Sequence, residues 1–174
     1  MHFLWVKPIN EQMKPIMRTL VVGSLLAMCF STQVYAQTPN IKAEVTKQID
    51  LTGLAVREAF KKGDVETIKR YHHPDVVKAL GYNNLRIGRE AVLDGLRETM
   101  ANYDLEFIGE REEEVFLHRG DVVVKQMLFG LRLVPKNGDE PFIYRGRTLI
   151  ILQRYDESPT GWATIHEIIQ PFED

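Results

Sequence analysis

The stretch Tyr71-His72-His73-Pro74-Asp75 puts a phenol, two imidazoles and a carboxylate into five residues, in a chain with five histidines in all. Such a set could hold a metal or move protons. A zinc site needs three or four ligands converging on one point, and the helical spacing that achieves this is i, i+4. Adjacent histidines diverge instead, about 100° apart on a helix and on opposite faces of a strand. No metal site is expected. The residues read as a helix end: His72 lies over the core beside Ile68, and His73 and Pro74 terminate the helix. Asp75 then bonds backbone amides in the following turn.

A second candidate lies near the C-terminus. Strict alternation along the last strand places Trp162, Thr164, His166, Ile168 and Gln170 on one face and Ala163, Ile165, Glu167 and Ile169 on the other. An imidazole near its ordinary pKa of ~6.5 serves as acid or base, and a contact from Asp75 would orient it. The plainer reading of His166 is a half-buried histidine bonded to a neighbouring strand. Arg145 and Arg147 share a face with Ile143, Leu149 and Ile151. On a concave face one of them would grip a carboxylate by two parallel bonds; on a convex face both are solvated or sit at a dimer seam. The acids of "GEREEEVF" (residues 109–116) alternate faces along a strand and cannot gather round one cation, so they read as a solvated strand that discourages edge pairing. The chain has no nucleophile elbow, phosphate-cradling glycine loop or metal-spaced histidine pair. No cofactor is expected, and any catalysis would be unaided acid/base work.

Residues 1–36 read as a secretory leader. A basic start (Lys14, Arg18) precedes the apolar run "TLVVGSLLAMCF", then polar residues and a small residue, Ala36, at the cut. The run is shorter than the ~20 residues that span a bilayer. Met13 or Met17 fits as the true start. Lipid attachment at Cys29 is disfavoured because Met28, just before it, is not small. The expected mature part is 37–174, in the periplasm or secreted and without a membrane segment. Three of the 22 basic and one of the 24 acidic residues leave with the leader, so the remainder has an acidic excess of four. Nucleic-acid binding is not expected from that balance. The only cysteine leaves as well, so the mature part forms no disulfide. Its length suits one domain.

Apolar positions Ile41, Val45, Ile49, Val56, Ala59 and Phe60 share one side of a helix over Ile41 to Lys62, widened by Leu51, Leu54 and Ala55. Gly63 ends it and Asp64 caps a short helix, "VETIKRYH". A third helix from about Arg89 buries Val92, Leu93, Leu96, Met100 and Tyr103. Four long strands follow, joined by "HRG", "PKNGDE" and "DESPTG". The expected class is α+β, a curved antiparallel sheet wrapped around N-terminal helices. The second strand is apolar on both faces, as a sheet used for dimerisation would be.

The order helix, Gly63-Asp64, short helix, Tyr71 to Asp75, "IGREAV", then four strands ending in Gly161-Trp162 and "IHE" resembles the nuclear transport factor 2-like superfamily and its SnoaL-like bacterial members. The likeness runs from about Ile41 to Phe172. It implies a cone: helices lie in a strongly bent sheet, a pocket remains at the open end, and dimers through the sheet are frequent. It also places Tyr71 and Asp75 at the mouth. Ketosteroid-isomerase relatives carry a carboxylate base a few residues beyond the segment matching Asp75; here that region reads Val76, Val77, Lys78, Ala79 and Leu80, so that mechanism is not carried over. Fold alone decides little about activity. The expectation is an exported homodimer holding a small apolar molecule, with Tyr71, Trp162, Arg147 and Gln126 as ligand contacts. The alternatives are an acid/base enzyme using His166 with Asp75 and Tyr71, or an interaction module working through its sheet.

Overall fold

A computed structural model describes residues 39–172 apart from Tyr82. The leader reading falls outside the described residues. The elements are α1 (Pro39–Lys62), α2 (Val65–Arg70), β1 (His72–Leu80), β2 (Leu85–Ile87), α3 (Arg89–Asn102), β3 (Tyr103–Arg119), β4 (Val122–Pro135), β5 (Phe142–Arg154) and β6 (Trp162–Pro171). The six strands form one curved, open sheet in the order β2-β1-β6-β5-β4-β3.

Helix boundaries follow the local chemistry. Gly63, at φ +66°, turns the chain out of α1. The Asp64 carboxylate accepts from the Thr67 backbone N–H at 3.0 Å and from its hydroxyl at 2.6 Å, capping α2. On α3 the expected core face is the observed one: Val92, Leu93 and Leu96 are buried, with Met100 packed on them. Leu51 and Leu54 of α1, expected to be covered, are about half exposed.

The largest correction concerns residues 72–80. Rather than a helix end and turn, they form β1, which pairs parallel with β6 and antiparallel with β2. The sheet is therefore mixed, not purely antiparallel. Pro74 does not disturb this, because it lies where the β1–β6 register shifts between His72 and Val77; a residue without an N–H fits an irregular stretch of ladder.

Two buried clusters hold the layers together. Ala59, Ile68, Val76, Val92, Leu93 and Leu96 join the three helices to β1. Val45, Ile49, Val123, Leu152 and Trp162 fix the first half of α1 on the sheet. Each fully buried large apolar side chain adds about 1.5–3 kcal/mol. Leu93 is fully buried, so Leu93→Ala is expected to cost about 2–5 kcal/mol and Asp64→Ala about 1 kcal/mol, both read as shifts of the urea midpoint.

Candidate functional site: a cavity between α1 and the sheet

Facing residues in the ladders define the inner side of the sheet. Leu131 opposes Phe107 and Tyr144, Met127 opposes Thr148, and Lys125 opposes Ile150. With Ile49, Val56 and Phe60 of α1 these side chains enclose a cavity of about 290 Å³. Its walls are mainly aliphatic and aromatic, and it touches both core clusters, through Ile49 and Leu152 on one side and Leu96 and Phe60 on the other.

Polar groups reach this hollow from β1, β5 and β6. Lys78 of β1 is paired in register with Glu167 of β6, and their side chains form an ion pair that is 6% exposed on the lysine and 13% on the carboxylate. The Thr148 hydroxyl donates to Glu167 Oε1 at 3.1 Å. His72 and Thr164, also register partners, line the same hollow. His72 Nδ1–H donates to the Ile68 carbonyl at 2.8 Å. Burial, helped by the nearby Lys78 and Arg89 charges, pushes the His72 pKa down to about 3 from 6.5, so the ring is neutral near pH 7. On another side, the buried Lys125 is held by Glu113 at 2.6 Å and Asp50 at 3.3 Å.

None of the six residues expected at a site lines this cavity. The alternation expected for β6 is broken by a bulge: Leu152 faces Thr164 and Ile151 faces His166, leaving Ile165 extra. Beyond it the faces exchange, so Glu167 and Ile169 point in and His166 points out, beside Ile151 and Val77. His166, expected on the face of Trp162 and Thr164, thus lies on the opposite one. Asp75 has an exposed side chain 3.8 Å from His73 Nδ1, and its own N–H donates to that nitrogen at 3.2 Å. Tyr71 is a buried residue at the end of α2 whose carbonyl accepts from Thr164 N–H at 2.9 Å. Trp162 is fully buried, its Nε1–H donating to Gln48 at 3.0 Å, with the Arg154 guanidinium 4.5 Å from the ring centroid.

Arg147 and Gln126 meet each other's partner, but on the outer face. Arg147 grips Glu114 with two bonds of 2.9 Å, and Gln126 donates to the same carboxylate at 3.0 Å. The paired guanidinium holds the Glu114 carboxyl below its usual pKa, with the Gln126 bond adding to the effect. The concave-or-convex question left open for Arg147 is answered: its face is convex. Sequence reasoning missed Lys78, Glu167 and His72 as cavity residues. The available signal was one base inside "VVKAL" and one acid inside "TIHEII", each stranded among apolar neighbours. Among the described residues no cluster of three or more His, Cys, Asp or Glu could hold a metal ion.

No known family's sequence profile matches the chain, and no curated protein matches its sequence. Solved structures do match. An NTF2-like superfamily protein from Salmonella enterica serovar Typhimurium is 15% identical, over 79% of this chain and 94% of that one, with a TM-score of 0.60. A ketosteroid isomerase-like protein from Erwinia carotovora atroseptica is 13% identical over 74% and 96%, with a TM-score of 0.62. A scytalone dehydratase-like protein from Novosphingobium aromaticivorans is 9% identical over 77% and 88%, with a TM-score of 0.69. The chain has the NTF2-like fold. At these identities the likeness carries the fold and nothing finer.

The ion pair and His72 generate two predictions. Removing one partner, by Lys78→Met or Glu167→Leu, leaves a buried charge uncompensated and is expected to cost about 3–5 kcal/mol, whereas the double variant returns close to the parent in denaturant unfolding. His72 is neutral when folded and takes up a proton when unfolded, so its contribution is complete above pH 6.5 and is lost as pH falls toward 3. Between pH 7.5 and 5 that amounts to about 2 kcal/mol, and His72→Asn is expected to lose less stability over this interval than the parent.

Proposed function

We propose that this chain holds a small, largely apolar molecule carrying one polar group in the cavity between α1 and the sheet. The supporting observation is a hollow of about 290 Å³ with a hydrophobic wall and a Lys78–Glu167 pair reaching into it. Small-molecule sites have this composition, apolar walls with a few placed polar groups. An engineered apolar cavity of about 150 Å³ takes one benzene, so the space suits about two rings. Export follows from the leader reading of residues 1–36. Pairing of two copies through the outer face is supported by the half-buried Val124, Leu128, Leu149, Ile151 and Ile168 on that side.

A second reading, cofactor-free acid/base turnover, moves from His166 and Asp75 to Glu167. That carboxylate lines the cavity and already accepts from Thr148. Proteins with this fold include an isomerase-like and a dehydratase-like example.

Gly146 offers a direct test of the cavity. A Cβ added there would lie 2.7 Å from Phe129 Cζ, so Gly146→Ala pushes this ring tip toward the hollow that Phe129 lines. Calorimetric titration with two-ring apolar compounds is expected to show saturable binding at one per chain, weakened by roughly tenfold in Gly146→Ala for a stability cost of about 1–3 kcal/mol. Saturable binding by none of them would overturn the binding reading. Turnover of two-ring carbonyl compounds that disappears in Glu167→Gln would instead establish the second.

A further inference from the structure

His72 does more than fill the core. Its Nδ1 meets a carbonyl oxygen at 2.8 Å, and because a carbonyl only accepts, that nitrogen carries the ring's proton. Nε2 of the neutral ring is then an acceptor with a free lone pair. It is buried and has no hydrogen-bond partner in the protein, while the imidazole lines the cavity. A buried acceptor left unmatched carries a desolvation cost that nothing in the protein returns. Of the polar groups nearby, Lys78 is engaged by Glu167, which also receives the Thr148 hydroxyl.

A ligand supplying a donor at this point would gain a hydrogen bond and relieve that cost together. A hydrocarbon, ether or ketone of the same size would do neither. We propose that His72 Nε2 is the recognition atom of the cavity, accepting from a hydroxyl of the bound molecule, so that the ligand is a one- or two-ring phenol or alcohol. This rests on the cavity being a ligand site, and it adds the polar group by which ligands are told apart. The tautomer is fixed by the Ile68 carbonyl, which leaves the acceptor ready before anything binds.

Two compounds of nearly equal shape separate the possibilities: 2-naphthol, which donates, and 2-fluoronaphthalene, which does not. Fluoronaphthalene is the more apolar, so an apolar hollow without a recognition atom prefers it. The unaltered protein is expected to bind 2-naphthol at least tenfold more tightly. In His72→Asn the amide N–H replaces Nδ1–H toward Ile68 but no atom replaces Nε2, and the preference is expected to vanish or reverse. As a reading that needs no variant, the Nε2 resonance of ¹⁵N-histidine-labelled parent protein should shift with 2-naphthol and stay fixed with 2-fluoronaphthalene. Equal binding of the two compounds by the parent, or a preference that survives His72→Asn, overturns this inference and leaves the cavity reading intact. Binding of neither overturns both.

Discussion

One extra residue in the last strand decides what the interior of this protein contains. Strands alternate with a period of two, so an insertion of one exchanges every later side chain between the faces. Because Ile165 is that insertion, a carboxylate at 167 enters the hollow and an imidazole at 166 leaves it. The carboxylate then requires a cation, and the strand beside it supplies Lys78 at the register partner of Glu167. Without the bulge, Lys78 would face an aliphatic neighbour and be buried alone, which a chain of this size could hardly tolerate.

The helices and the four long strands were legible because each announces itself locally. Helical periodicity, the Gly63-Asp64 step and the Asn137-Gly138 turn act within a few residues, and the structure obeys them. β1 was illegible for a physical reason. Its pairing is long-range and parallel, its proline discourages a strand assignment, and its buried lysine spoils the alternation that would betray an inward face. The lysine is buried only by virtue of a partner nearly ninety residues later. Site residues failed together with the bulge: once the face of His166 was taken from strict alternation, Trp162, Gln126 and Arg147 could not be sorted between core, outer face and cavity. A bulge leaves no composition mark at Ile165, and Gln126 and Arg147 looked like ligand contacts although Glu114 already engages both.

The interior polar groups differ in how fully they are matched. Lys125 has two acidic partners at the side of the hollow, and Lys78 and Glu167 have each other. Charges so paired hold the sheet in register more than they attract further ions, since a satisfied pair presents little net field. His72 is the exception among the residues from β1, neutral and half-matched. Its free acceptor is thus the unmatched polar atom that β1 presents to the hollow.

The order of strands also has a consequence for assembly of the chain. β1 is made before β3, β4 and β5 but lies between β2 and β6, and β6 is the last of the described elements. Until the C-terminal strand arrives, Lys78 has no counter-charge and the helices rest on an unfinished wall. A chain stopped short of Glu167 lacks both the strand that pairs with β1 and the carboxylate that neutralises Lys78, so the inner wall is completed only by a contact spanning nearly ninety residues of sequence, the kind of long-range pairing that forms slowly.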